Sequence, residues 1–208
     1  MASRPTISRS RDTRADRSKK LLQAAYELIP EVGIAGLRTR DITQKAGVHL
    51  ATFHYCFESK NALLAALYDD IVARFHAAIE TFILPHVDMV ERLEGHRRMR
   101  QYLLTQDPQL LIAWMAFKGA MWSDPAVADI VRPHYRELRR SFGRQVELDA
   151  QSEAIAGLPV DNAQIAGALV IAMFDGALDL LWLDPEDVSF DEFETSLSDL
   201  YRGGATNS

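Results

Sequence analysis

The stretch KAGVHLATFHYCFESK, Lys45 to Lys60, decides the fold. Gly47 stands where a helix needs a left-handed residue to stop, and the residues after it read as a short helix with two unlike faces. At about 100° per residue counted from Leu50, the bulky apolar Phe53, Cys56 and Phe57 share one arc. Ala51, His54 and Tyr55 share the opposite arc, with Leu50 and Thr52 on the flanks. One face therefore packs inward. The other presents two aromatic hydrogen-bonding groups beside a methyl small enough to allow close backbone approach.

Upstream, Leu21, Leu22, Ala25, Leu28, Ile29 and Val32 recur at the spacing of one helical stripe, which predicts a first helix ended by Gly33. After the connection GIAGL, Thr39 offers a hydroxyl cap to a short second helix over 40–46, with Ile42 and Ala46 on its buried side. Two short helices joined at Gly47 make a helix-turn-helix, an arrangement that lays its second helix in the DNA major groove. Downstream, 61–84 reads as one long helix stopped by Pro85. At ~1.5 Å per residue it reaches about 36 Å, enough to join this head to a body.

The net charge of −6 argues against a polyanion partner until the chain is divided at Lys60. Residues 1–60 carry eleven Lys and Arg against six Asp and Glu, whereas the remaining 148 carry twelve against twenty-three. A basic head on an acidic body would approach DNA with the head alone. Residues 1–13 have too little apolar content to fold by themselves and are expected to form a mobile basic arm. Arg4, Arg9, Arg11 and Arg14 are read as solvated charge, with a minor-groove or backbone contact as the alternative.

Several function classes fall away. Cys56 is the only cysteine, which excludes an internal disulfide or a cysteine-built zinc site, and its inward arc makes it a buried, inert thiol. His49 and His54 have no carboxylate at ligand spacing, so no metal is expected. The sequence contains no His-Glu-x-x-His, no Gly-rich phosphate loop and no Gly-x-Ser-x-Gly elbow, so neither catalytic residues nor a cofactor are expected. The longest apolar run, Ile165 to Phe174, is about half of the ~20 residues a membrane span needs. No apolar segment follows the basic start as a signal peptide requires, so the expected compartment is the cytoplasm.

Residues 21–67, LLQAAYELIPEVGIAGLRTRDITQKAGVHLATFHYCFESKNALLAAL, resemble the TetR (tetracycline-repressor-like) family of bacterial transcriptional regulators. The matching features are Thr39, the AGV turn, Thr52, Phe57 and the SK before the long helix. The resemblance implies that Thr39 and Arg40 approach phosphates, that Leu50, Ala51, Thr52, His54 and Tyr55 face the groove, and that Lys60 binds a phosphate. Some positions depart from the usual pattern. His49 stands where serine or threonine is common, which weakens the cap of the third helix by something like ~1 kcal/mol. Leu50 replaces a frequent lysine and Ala51 a frequent glycine, trading a cation for an apolar contact. His54 and Cys56 differ as well, so the departures bear on which operator is read.

The body, 61–208, reads as helices over 87–106, 109–123, 125–156, 161–182 and 190–202 after the long one. The whole is an all-α chain of about nine helices: an arm at 1–13, a three-helix head at 14–60, and a helical ligand-binding and dimerisation domain at 61–208. Asp124 before Pro125 and Ser189 before FDEFE are helix-start signals, and Pro133 is expected to kink or divide its segment. The segment NAQIAGALVIAMFDGALDLLW is apolar nearly all round and must be covered on more than one side. A two-fold homodimer is the expected cover, built on Ala168, Ala172 and Gly176 with Phe193, Leu197 and Leu200 of the last helix. The alternative is a monomer with that helix at its centre. A dimer matches a palindromic double-stranded DNA operator.

Tyr102, Trp114, Phe117, Met121, Trp122, Tyr135, Phe142 and Phe174 are dense enough among these helices to line a cavity. The family resemblance implies a small-molecule effector pocket there, and the residues suit an apolar or aromatic ligand. The expected protein is thus a ligand-responsive, sequence-specific transcriptional regulator, read as a repressor. The competing reading is a helical small-molecule-binding or adaptor protein that does not touch DNA.

Overall fold

The computed structural model describes residues 13–83, 89–151 and 162–183, together with 192, 195 and 196. Eight helices are defined among them: α1 Arg14–Gly36, α2 Thr39–Lys45, α3 Leu50–Cys56, α4 Lys60–Phe82, α5 Met89–Thr105, α6 Pro108–Ala120, α7 Pro125–Gln151 and α8 Ala163–Leu183. No strand occurs among the described residues. Phe193, Leu197 and Leu200 of the expected ninth helix lie outside the described residues, as do Pro85 and Arg4, Arg9 and Arg11 of the arm.

The helix starts follow local chemistry. Helix α1 begins seven residues before Leu21, because Thr13 and Asp16 close a capping box: the Thr13 hydroxyl accepts from the Asp16 amide at 3.2 Å, and the Asp16 carboxylate accepts from the Thr13 amide at 2.9 Å. Thr13 therefore belongs to the fold and not to an arm. Gly33, at φ 62°, interrupts α1 where expected, and one short turn follows before Leu37. Ser59 caps α4 through its hydroxyl, Asp107 caps α6, Asp124 caps α7 and Asn162 caps α8. Pro133 does not divide α7, which continues through it as one helix. Its missing amide removes one bond from a 27-residue ladder, and packing against α8 on the same stretch holds the rest.

The core is continuous from head to body. Leu21, Ala25 and Ile29 of α1, Ile42 of α2 and Phe53 of α3 meet Leu63, Leu64, Leu67 and Ile71 of α4. The same cluster takes in Leu110, Ala113 and Phe117 of α6 and Val127 and Val131 of α7. Helix α4 thus serves both parts with one buried stripe. Helices α7 and α8 approach closely at two glycines. A Cβ at Gly143 would run into the carbonyl of Ala163, and one at Gly167 into the carbonyl of Arg139.

Helix α8 is long and apolar enough over Ala163–Leu180 to cross a membrane by length and composition alone. Its chemistry is that of a helix packed on protein. Asp175 and Asp179 lie within this stretch and both reach Lys118 of α6, at 3.7 and 3.0 Å.

Candidate nucleic-acid interface and cavity

Helix α3 is seated by Phe53, only 1% exposed, and by Cys56, also buried. The Phe53 ring meets Phe57 at 5.9 Å and the edge of His54 at 5.6 Å. With those two inside, the helix period sends Ala51, His54 and Tyr55 outward, and Tyr55 is 59% exposed. Leu50 is exposed too, and Thr52 half-buried on the flank. Each of these positions agrees with the spacing of the sequence.

Arg14 is the residue that sequence reasoning misplaced. As the first residue of α1, it donates from Nη2 to the Cys56 carbonyl at 3.3 Å. Its guanidinium stands 5.8 Å from the Tyr55 ring centre. It satisfies a carbonyl at the end of α3 and flanks the exposed ring, which a freely solvated arginine would not do.

The turn between α2 and α3 is closed by backbone alone. Gly47, at φ 66°, donates to the Gln44 carbonyl at 3.1 Å, and Val48 donates to the Thr43 carbonyl at 3.0 Å. This pair of bonds satisfies the last carbonyls of α2 and requires the left-handed glycine. His49 begins α3 without a side-chain cap. At the start of α2 the expectation needs correction: Arg38 is the N-cap, no side chain caps the helix, and Thr39 is its first residue. Thr39 is half-buried and Arg40 exposed beside the three unbonded amides of that turn.

Lys60 has a structural duty not foreseen from sequence. It is the first residue of α4, and its Nζ donates to the Ile34 carbonyl at 3.3 Å, tying α4 to the α1–α2 connection. An ammonium has three donors, so this bond leaves others for a phosphate at the same helix start.

Residues 21–67 match the family described as bacterial regulatory proteins, tetR family. Over those residues the chain is similar to the TetR family. It is 28% identical over 169 residues to the HTH-type transcriptional regulator BetI of Escherichia coli K12, covering 80% of each chain. Among solved structures, a protein of Pseudomonas aeruginosa PAO1 described as a transcriptional regulator superposes with a TM-score of 0.75 at 24% identity, over 96% of both chains. A Saccharomonospora viridis regulator, solved in complex with choline, gives 0.68 at 19% identity over 89% of this chain and 95% of that one. The helix-turn-helix head is thus similar to that of tetR-type bacterial regulatory proteins, and the relative matched over 80% of the chain is named an HTH-type transcriptional regulator.

Between α4, α5, α6, α7 and α8 lies a cavity of about 110 Å³. An engineered apolar cavity of about 150 Å³ accepts benzene, so this one is of the size for a single small ring. Trp114, Phe142 and Phe174 line it as expected, with Phe75 added from α4. Five other expected residues do not. Phe117 is fully buried in the core and Met121 packs against that core. Tyr102 is exposed and pairs with Phe82 at 5.4 Å, and Trp122 is 83% exposed in the turn after α6. Tyr135 stands just behind the wall, its hydroxyl donating to lining Asp175 at 3.1 Å.

Sequence reasoning missed the polar part of the lining: His76, His96, Arg100, His134 and Asp175. Burial lowers His96 and His134 to about 4, His76 adding to the effect on His134, so both rings are neutral at pH 7. Burial raises the Asp175 carboxyl, and Lys118 pulls the other way. One sequence signal was available: Asp175 is a carboxylate in an otherwise apolar run, and such a group needs a partner.

Proposed function

We propose that this chain is a ligand-responsive repressor that binds a palindromic double-stranded DNA operator as a homodimer in the cytoplasm and is released by a small effector. The observation that carries the reading is the outward face of α3, where His54 and Tyr55 stand clear of a core filled by Phe53 and Cys56. Leu50, Ala51, Thr52, His54 and Tyr55 enter the major groove. Thr39, Arg40 and Lys60 hold phosphates at two helix starts, and Arg14 keeps the Tyr55 ring in place.

Homodimerisation rests on α8. Ile165, Leu169, Ala172, Leu180 and Leu183 are exposed along one stripe, and a Cβ at Gly176 would meet nothing. Ala172 and Gly176 lie on this open side, and Ala168 is half-buried at its edge. Two heads joined across such a stripe can sit about 34–36 Å apart, the spacing of successive major grooves. The effector shifts the population away from that spacing, and a coupling of ~1–3 kcal/mol suffices. Rings and methyls on the cavity wall favour an apolar or aromatic effector with a few hydrogen bonds.

The test is titration onto the intergenic DNA beside the chain's own gene at several salt concentrations. A DNA-reading dimer loses affinity with a log-log slope of several units and discriminates against scrambled DNA. A helical adaptor shows neither. Indole and choline, added to the preformed complex, separate a neutral aromatic effector from a cation of the kind held in the Saccharomonospora viridis structure.

A further inference from the structure

Helix α3 reads LATFHYC, and none of its seven residues is Arg, Lys, Asn, Gln, Asp or Glu. Those are the side chains that pick out a base by charge or by paired hydrogen bonds: Arg or Lys for guanine, Asn or Gln for adenine, Asp or Glu for the cytosine amine. In their place the helix shows two rows of residues four apart, Leu50 with His54 and Ala51 with Tyr55, and all four are exposed. Each row starts on a hydrocarbon and ends on a ring. Leu50 keeps 41% of its surface open, although a leucine gains by leaving water, and Ala51 is small enough to let a partner come close to the backbone. The rings are held: His54 stands nearly perpendicular to Phe53 at 5.6 Å, and Tyr55 is flanked at 5.8 Å by Arg14, itself bonded to the Cys56 carbonyl. Thr52 is half-buried on the flank, and Gln44 and Glu58 lie on the last turn of α2 and beyond the end of α3.

We infer that this face identifies thymine: each operator half-site sets thymine C5 methyl groups against Leu50 and Ala51, while His54 and Tyr55 add single hydrogen bonds. This rests on the reading of α3 as the groove-facing helix, and it names the base which that helix selects. The thymine methyl is the apolar group that distinguishes one base from the others in the major groove. A lone donor at a purine N7 cannot tell adenine from guanine, because both carry that acceptor. A hydrocarbon laid on a methyl can tell thymine from every other base, because contact there removes apolar surface from water. With the phosphates left to Thr39, Arg40 and Lys60, the methyl contacts supply preference without adding to the salt dependence.

The test prepares the intergenic duplex twice, once with thymine and once with uracil at every thymine position, so that the two forms differ in the C5 methyl groups alone. Full-length wild type is titrated onto both, and onto a scrambled duplex in both forms, at several salt concentrations. Affinity is expected to fall about fourfold for each contacted methyl, the effect of taking one hydrocarbon group from water, hence about tenfold or more for a site read by two heads, at an unchanged salt slope. The two scrambled forms are expected to bind alike. Leu50→Ser and Ala51→Ser are each expected to narrow the thymine-to-uracil ratio, and because both side chains point away from the core neither substitution opens a cavity. Wild type that prefers the intergenic to the scrambled duplex but binds its thymine and uracil forms equally would overturn the inference and leave the operator reading standing. A uracil penalty that persists in full in both variants would overturn it too, since the loss would then belong to the duplex and not to Leu50 and Ala51. Equal affinity for intergenic and scrambled DNA would remove the operator reading and this inference with it.

Discussion

Helices α3 and α8 both leave apolar surface in the open, and they do it differently. Helix α3 is seven residues long and shows rings with polar atoms, His54 and Tyr55, among small or branched neighbours. Helix α8 has 21 residues and shows Ile165, Leu169, Leu180 and Leu183 in an aliphatic stripe. DNA grooves are polar and wet, so a reading face needs groups that are content in water and specific in contact. A stripe of leucine and isoleucine is content only when another apolar surface covers it. The same degree of exposure thus points to two kinds of partner.

The largest test of that contrast is Leu169→Glu. A charge buried without a counter-ion in the proposed α8 contact costs about 3–5 kcal/mol, so sedimentation should find monomer for the variant and dimer for wild type. An unchanged sedimentation coefficient would break the comparison on the α8 side. Acid should loosen the body around the cavity. The unfolded chain binds protons at His96 and His134 near pH 6.5 and the folded chain only near 4, so stability is full above about 6.5 and falls as the pH drops toward 4. Tryptophan fluorescence should report melting temperatures that decline over that window, and His134→Phe should flatten the decline.

On the α3 side, Tyr55→Ala should cost about 1–3 kcal/mol on the operator and little on scrambled DNA. Lys60→Ala should weaken both alike and lower the salt slope by about one, with some loss of thermal stability through the Ile34 tie. Equal losses for Tyr55→Ala on every duplex would make its ring a phosphate contact. The smallest change is His49→Ser. A side-chain cap restored to α3 should add roughly 0.5–1 kcal/mol to stability in a thermal melt.

The parts legible in sequence were those with a local cause. Gly47, Gly33 and Asp124 announce turns and helix starts through their own backbone needs, and the period of α3 sorts Phe53 from Tyr55 within one element. The Thr13–Asp16 capping box was legible too, but it sits beside a stretch with too little apolar content to suggest a helix. Where the cause spans elements, sequence reasoning lost it. Nothing local says that Trp114 faces a cavity while Trp122 faces water, because α6 ends between them and the turn reverses the side. His76, His96 and His134 come from three helices and converge only through packing. The phosphate reading of Lys60 likewise could not foresee a carbonyl partner 26 positions away.

Cys56 offers a practical return. As the sole thiol of the chain, buried at the foot of α3 with its sulfur 3.9 Å from the Arg14 carbonyl, it is a built-in reporter. A maleimide or disulfide reagent can reach that sulfur only when the three-helix unit comes apart. The labelling rate of the unmodified protein therefore clocks such openings without any engineered probe, and a duplex that clamps the unit should slow the clock.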